Sequence, residues 1–104
     1  MSSLDDLQAR IDVWHRANFG ELSDIFVITK LTEEVGEAAH AAVRMYHGLQ
    51  GKSVDPESVM HLRDALGDIV FVLMNLANNH GWSLDNIIHE VADEGLARDY
   101  TKKA

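Results

Sequence analysis

The sequence predicts an all-α fold, a small four-helix bundle, and three observations support this prediction. Its 104 residues contain a single proline, Pro56. Runs of alternating β-branched residues, which favour strands, are few, whereas apolar residues recur at helical spacing between turn signals. The length suits one domain, residues 1–104, in which the two longest helices, the second and the third, lie antiparallel.

Serine and glycine residues set the expected bounds of the first two helices. Ser3 can cap the first helix, which should end near residues 18–20. Ser23 can cap the second helix, from about Asp24 to Tyr46, with a stop at Gly48. The first helix should turn one apolar side towards the core, formed by Leu4, Leu7, Ile11 and Trp14.

The remaining two helices show equally clear starts. Asp55 and Pro56 have the composition of a cap followed by a first helical position, so a third helix should run from there to about His80. Ser83 can cap a fourth helix, with fraying expected at residues 98–103. The core side of the fourth helix should consist of Leu84, Ile87, Ile88 and Val91.

Charge and composition exclude several classes of function. The 9 basic and 17 acidic residues give a net charge of −8, which disfavours a broad basic surface for nucleic acid. No apolar run is long enough to cross a membrane, and no secretion signal is visible. The absence of cysteine fits a reducing cytoplasm and excludes thiolate chemistry. An acidic protein can still bind a polyphosphate if divalent cations supply positive charge.

Carboxylates on two predicted helices are the candidate functional groups. Glu33, Glu34 and Glu37 fall within one stretch of the second helix, and the last two share a face. Asp68 lies inside the apolar run 65–74 of the third helix, where a carboxylate needs a cation or a hydrogen-bond partner. A hard cation such as Mg²⁺ would offset the repulsion between these acids if the two helices bring them together.

A glycine precedes an acid in each of the two long helices, at Gly36 and at Gly67. Glycine within a helix costs about 1 kcal/mol relative to alanine, so its presence suggests a close approach of the two backbones. The alternative is that the glycines only permit tight packing. In that case the acids pair with Lys30, Arg44 or Arg63.

The motif Glu33-Glu34-x-x-Glu37, followed by Leu66-Gly67-Asp68, resembles the EExxE and ExxD signature of the MazG-like all-α nucleoside triphosphate pyrophosphohydrolases. The resemblance implies an enzyme that cuts a nucleoside triphosphate between its α and β phosphates, with Mg²⁺ required and Mn²⁺ as a substitute. It spans nearly the whole chain, since it also takes in Trp14-His15, Asn18-Phe19-Gly20, Lys30-Leu31 and Arg98-Asp99-Tyr100.

The same resemblance assigns roles to the acids. Glu34, Glu37 and Asp68 would hold metal, and Glu33 would bind metal or orient the attacking water. Ala65 departs from the family, whose ExxD motif has a glutamate there, and Asp64 comes one residue earlier. One residue turns a side chain by about 100° around a helix. Asp64 would therefore reach the metal through water, replace the ligand after a helix adjustment, or do neither, and the number of metal ions stays open.

Other residues are candidates for contact with the substrate. Aromatic and amide side chains of the first helix could form a pocket for a nucleobase, although Trp14 would serve equally well in the core. Asn75 could orient a phosphate or a water, or be a core asparagine. The candidate substrate-binding residues are Trp14, His15, Asn18, Phe19, Lys30, Asn75 and Arg98.

Two other functions compete with this one, and both concern the same helices. Glu37 and His40 have the ExxH spacing of ferritin-like di-metal proteins, but that site needs two such motifs. A non-catalytic interaction module would explain Ala65 and the large apolar helix surface. This surface exceeds what one small bundle can bury and predicts a homodimer or a dimer of dimers.

Overall fold

The computed structural model describes residues 3–49 and 56–101, and this part of the chain forms four helices and no strand. The predicted all-α fold is confirmed. None of the described helices combines the length and the apolar character that crossing a bilayer requires. The helices are α1 (Leu4–Phe19), α2 (Asp24–Leu49), α3 (Pro56–His80) and α4 (Leu84–Leu96).

Serine side chains cap three of these helices, as predicted. The hydroxyl of Ser3 accepts a hydrogen bond from the backbone N–H of Asp6 at 3.0 Å, and Ser23 and Ser83 make the equivalent bonds at the starts of α2 and α4. The predicted cap Asp55 lies outside the described residues. The predicted stop at Gly48 is wrong because α2 continues through it to Leu49. One glycine costs a helix only about 1 kcal/mol, which its neighbours can offset.

Helix α3 is the centre of the fold, since it packs against each of the other three helices. Gln8, a buried residue of α1, connects α1 to α3 and α4 by hydrogen bonds. Its amide nitrogen donates to Asn78 Oδ1 at 2.9 Å and to the carbonyl of Trp82 at 2.7 Å. Its amide oxygen accepts from the N–H of Leu84 at 2.9 Å, so α1, α3 and α4 form one hydrogen-bonded unit.

Helix α2 lies antiparallel to α3, as predicted. At the end of α3, Asn79 donates to the carbonyl of Leu22 at 2.8 Å and to the carboxylate of Asp24 at 3.2 Å. His80 Nε2 lies 2.6 Å from the other oxygen of Asp24, and its ring stacks on that of Trp82. These contacts fix the start of α2 against the end of α3, and among the described residues no Cα atom of α2 comes within 8 Å of α1 or α4.

The core is small and the apolar helix surface is largely open. Ile88 and Val91 of α4 and Leu7 and Trp14 of α1, all predicted to face the core, are exposed because neighbouring helices cover only part of each side chain. The Cα radius of gyration is 17.3 Å, whereas a compact domain of this length has about 13 Å. The most buried apolar side chains are Ile11, Val27, Ala41, Ala65, Val72, Met74 and Ala77.

Candidate active site

The helix pair α2 and α3 brings three of the predicted acids together. Glu34 and Glu37 lie one turn apart on α2, and Asp68 faces them from α3. Each offers one carboxylate oxygen, and these oxygens all lie within 4.8 Å of one another. We call Glu34, Glu37 and Asp68 the acidic cluster. Its members differ in environment, because Glu34 is 6% exposed whereas Glu37 and Asp68 are open to solvent.

Lys30 is the cation that contacts the acids. Its ammonium lies 3.3 Å from Glu34 Oε1 and 3.5 Å from Glu33 Oε2, and the hydrogen bond to Glu34 is the main reason why the pKa of Lys30 is raised. The alternative pairing of the acids with nearby cations is therefore realised for Glu33 and Glu34. Among the described residues, no cation pairs with Glu37 or Asp68.

The acidic cluster has the chemistry of a divalent cation site. Glu34 Oε2 is buried and has no hydrogen-bond partner within the described part of the chain. A buried carboxylate oxygen without a partner carries a substantial desolvation cost. Three oxygen donors on two helices are a ligand set that suits Mg²⁺ or another hard cation, and binding would satisfy this oxygen. The residues therefore fit such an ion.

Asp64 does not join the acidic cluster. It is exposed, while Ala65, where the resemblance leads us to expect a glutamate, is 4% exposed and lies against α2. Both line a cavity of about 600 Å³ beside the cluster, together with His40 and His61. The one-residue offset thus leaves a methyl group where a carboxylate would otherwise point towards α2.

A second cavity, of about 640 Å³, adjoins the acidic cluster and extends towards the end of α1. We call it the nucleotide-sized cavity. Its acidic end holds side chains from the middle of α2 and α3, and its other end is apolar and aromatic. The lining residues are His15, Phe19, Leu22, Phe26, Val27, Thr29, Lys30, Glu33, Glu34, Asp68, Phe71, Val72 and Asn75.

Asn75 supplies a buried amide to this cavity. It is 9% exposed and lies two turns from Asp68 on the same face of α3. Its side chain makes no hydrogen bond with any described residue. An amide in this position offers one donor and one acceptor edge to whatever enters the cavity.

The predicted aromatic residues of α1 take different positions. His15 and Phe19 line the nucleotide-sized cavity. Trp14 does not line it, but its ring makes edge contacts with those of Phe19 and Phe71, at centroid distances of 5.7 and 6.0 Å. Asn18 donates to the carbonyl of Trp14 at 2.8 Å, within its own helix. Trp14 therefore packs against two rings that line the cavity, and Asn18 lies outside it.

Arg98, a predicted substrate-binding residue, lies away from the acidic cluster and the cavities. It follows α4, is exposed, and its guanidinium lies 3.5 Å from the hydroxyl of Tyr100. It lines none of the cavities described above. Within one chain, nothing in the described residues brings it to the acidic cluster.

Two aromatic residues of the cavity were missed by the sequence reasoning. Phe26 precedes Lys30 by one turn on the face of α2 that carries Glu34, and Phe71 follows Asp68 by one turn on α3. Counting back and forward from the acids at helical spacing would have found both. Phe71 lies in the continuous apolar run 65–74, whose composition is typical of core residues.

The reason proposed for the two helix glycines is wrong within a single chain. A Cβ atom placed on Gly36 or on Gly67 would meet no atom of the described residues within 4 Å, apart from its chain neighbours and its own helix backbone. The helix backbones therefore do not approach each other at these positions. The ferritin-like alternative also lacks support, because among the described residues no histidine joins the acidic cluster.

Comparisons with known proteins give a related family, a related sequence and a related structure. The model of the MazG nucleotide pyrophosphohydrolase domain matches residues 21–99. The uncharacterised protein YpjD of Bacillus subtilis (strain 168) is 30% identical over 98 residues, which cover 93% of this chain and 86% of that protein. The crystal structure of the Bacillus-conserved MazG protein, a nucleotide pyrophosphohydrolase, matches with a TM-score of 0.72 at 25% identity and covers 98% of both chains.

Proposed function

Because the chain belongs to the MazG nucleotide pyrophosphohydrolase family, we propose that it hydrolyses a nucleoside triphosphate between the α and β phosphates. Water would form a bond to the α-phosphorus while the bond from that phosphorus to the bridging oxygen breaks, releasing a nucleoside monophosphate and pyrophosphate. The observation that carries the proposal is the buried, unpartnered Glu34 Oε2 at the point where the acidic cluster meets the nucleotide-sized cavity.

The proposed cofactor is Mg²⁺, with Mn²⁺ as a substitute. Glu34, Glu37 and Asp68 would hold it through the oxygens that already lie within 4.8 Å of one another. When bound, the ion would offset the charge of the phosphates and favour the attack of water. Ala65 supplies no carboxylate beside these three, which supports fewer protein ligands than the family signature provides.

Residues around the cluster would position the reacting groups. Glu33 is exposed at the acidic end of the cavity, where its carboxylate could accept a hydrogen bond from the attacking water and later its proton. Lys30 lies at the same end and would bind phosphate oxygens. The charge of the substrate would thus lie between a lysine and a cation, which is the arrangement that phosphoryl transfer requires.

The aromatic end of the cavity would take the base. Phe19, Phe26 and Phe71 offer ring surfaces, and a nucleobase is a flat apolar ring with polar edges. Asn75 is the buried amide available to read such an edge. With a divalent cation bound to the acids, the cavity would bind a polyanion at one end and a ring at the other, which suits a nucleotide.

We further propose a homodimer or a dimer of dimers of one-domain chains. Ile25, Leu66 and Val91 are 80%, 63% and 58% exposed, on three different helices, and a second copy would remove such surface from water. A neighbouring copy could also bring residues such as Arg98 to the site. The proposed location is the cytoplasm, which holds the nucleoside triphosphate pool.

The proposed function is tested by incubating the purified protein with a panel of nucleoside triphosphates and Mg²⁺. We expect release of pyrophosphate from at least one of them, and its loss in Glu37→Ala and Asp68→Ala. Glu90→Ala, on an exposed part of α4, removes one carboxylate away from the cavities and serves as the control. Absence of pyrophosphate with every nucleotide would overturn the proposal and favour a non-catalytic module.

A further inference from the structure

We propose that Lys30 acts as the counter-ion of Glu34 and opposes metal binding when no nucleotide is present. When metal and nucleotide bind together, its ammonium would contact the triphosphate instead. This inference rests on the proposed function, because it assigns a positioning role to a residue beside the proposed metal site. It makes the binding of metal and the binding of nucleotide dependent on each other through one side chain.

The contacts of the buried carboxylate suggest this role. One oxygen of Glu34 faces the ammonium of Lys30 at 3.3 Å, and the other has no partner among the residues that the structure describes. The side chain of Glu34 is 9% exposed, so water screens little of the charge around it. A divalent ion held by Glu34 would bring a second cation against the same carboxylate. Like charges this close repel, so the ammonium and the ion compete.

The side chain of Lys30 has room to move away from Glu34. Its side chain is 51% exposed and lines the nucleotide-sized cavity. A lysine stem is flexible, and its ammonium carries three donors that can be redirected without a change of backbone. The cavity is where the phosphates of the proposed substrate would lie. An ammonium displaced from Glu34 would therefore find new acceptors of higher charge within reach of the same stem.

A purely structural role of Lys30 would have a different signature. Lys30 and Glu34 are spaced as an ordinary helix pair, and such a pair stabilises a helix without affecting a ligand. Loss of a merely structural lysine would leave metal affinity unchanged or lower it by loosening the site. The counter-ion role instead predicts that removing the charge strengthens metal binding and weakens nucleotide binding. The opposite signs of these two effects distinguish the roles.

The test measures Mn²⁺ binding to the metal-free protein by calorimetry, without nucleotide. We expect Lys30→Met to bind Mn²⁺ about two- to fivefold more tightly than the natural protein. Lys30 itself is half exposed, and ion pairs with an exposed partner couple with about that strength. With Mn²⁺ saturating, a non-hydrolysable nucleoside triphosphate should bind Lys30→Met about tenfold more weakly. Arg10→Met removes the same charge from an exposed position of α1 outside the cavities and should change neither affinity.

The outcomes separate this proposal from the proposed function. Mn²⁺ affinity that is equal or lower in Lys30→Met overturns the counter-ion role while the metal site stands. If the natural protein binds no Mn²⁺, the metal site itself is overturned and the role of Lys30 with it. Lys30→Gln keeps a polar side chain and provides the same measurement if the methionine variant does not fold.

Discussion

Glu34 on α2 and Asp68 on α3 present carboxylate oxygens within 4.8 Å of each other, although only Glu34 is buried. The two side chains meet because the antiparallel helices are held in one register by the contacts of Asp24 with Asn79 and His80 at one end. The acidic cluster is therefore a property of the helix pair. A change that shifts one helix along the other would separate its two halves.

Asp68→Asn should abolish activity and stabilise the metal-free protein. The aspartate has no ion-pair partner in the described residues and lies beside two other carboxylates, so its charge is repelled when no cation is bound. We expect pyrophosphate release to fall by about a hundredfold or more, together with a higher melting temperature in EDTA. Activity assays and thermal unfolding measure the two effects. Retained activity, or a lower melting temperature in EDTA, would contradict this account.

Asn75→Leu should impair nucleotide binding without destabilising the fold. The amide is buried and makes no hydrogen bond in the described part of the protein, so its loss leaves no partner unsatisfied. If it binds the substrate, KM should rise by about tenfold. Steady-state kinetics and urea unfolding give both quantities. An unchanged KM together with reduced stability would show that Asn75 serves the core alone.

Phe26→Ala should raise KM and leave kcat nearly unchanged. The ring lines the aromatic end of the nucleotide-sized cavity, and a contact made equally in substrate and transition state affects binding only. The expected rise is about two- to tenfold, the usual strength of a ring contact. Val43→Ala, at an exposed position of the same helix outside the cavity, is the control. Equal KM values for both variants would show that Phe26 does not contact the substrate.

Asp24→Ala should destabilise the protein in a manner that depends on pH. The hydrogen bond from Asn79, and then that from His80, lowers the pKa of Asp24 below its ordinary value of 3.8. A carboxylate with a lowered pKa stabilises the fold at pH values above the ordinary pKa, and this contribution disappears as the pH falls through the folded-state pKa. Urea unfolding at pH 6 and at pH 2 to 3 should show a difference between variant and natural protein that narrows in acid.

A control accompanies the pH experiment. Glu90 is exposed on α4 and makes no hydrogen bond in the described residues, so Glu90→Ala should change stability little at either pH. A loss of stability in Asp24→Ala that stays the same across this range would mean that the charge of Asp24 has no part in fixing α2 to α3.

Gly36→Ala should stabilise an isolated chain by about 1 kcal/mol. The added methyl group meets open space, and alanine favours a helix more than glycine does. Urea unfolding followed by circular dichroism measures the change. A loss of stability that grows with protein concentration would contradict the expectation and would indicate that a second copy lies against Gly36.

Local signals in the sequence were sufficient for the helices and for part of the site. Ser3, Ser23 and Ser83 cap helices because a hydroxyl three residues before a free N–H acts locally. Glu34 and Glu37 share a face because helical spacing fixes it. Their meeting with Asp68 was expected from a close backbone approach at Gly36 and Gly67. The structure brings the three acids together, but without that approach.

Features that depend on tertiary partners could not be predicted in the same way. Ile88 and Val91 follow the apolar spacing of a core face, yet they are 51% and 58% exposed. Phe71 has the composition of a core residue but lines a cavity. Gly36 marks an open surface instead of a close contact. In each case the side chain fits two environments, and only the positions of other helices decide between them.

The absence of close backbone contact between α2 and the α1 and α4 helices has a mechanical consequence. Two carboxylates of the site belong to one long arm, whereas the third belongs to the body formed by the other helices. An ion shared between them would cross-link arm and body. Loading with metal should therefore strengthen the attachment of α2 to α3, which otherwise depends on helix packing and on the contacts of Asp24.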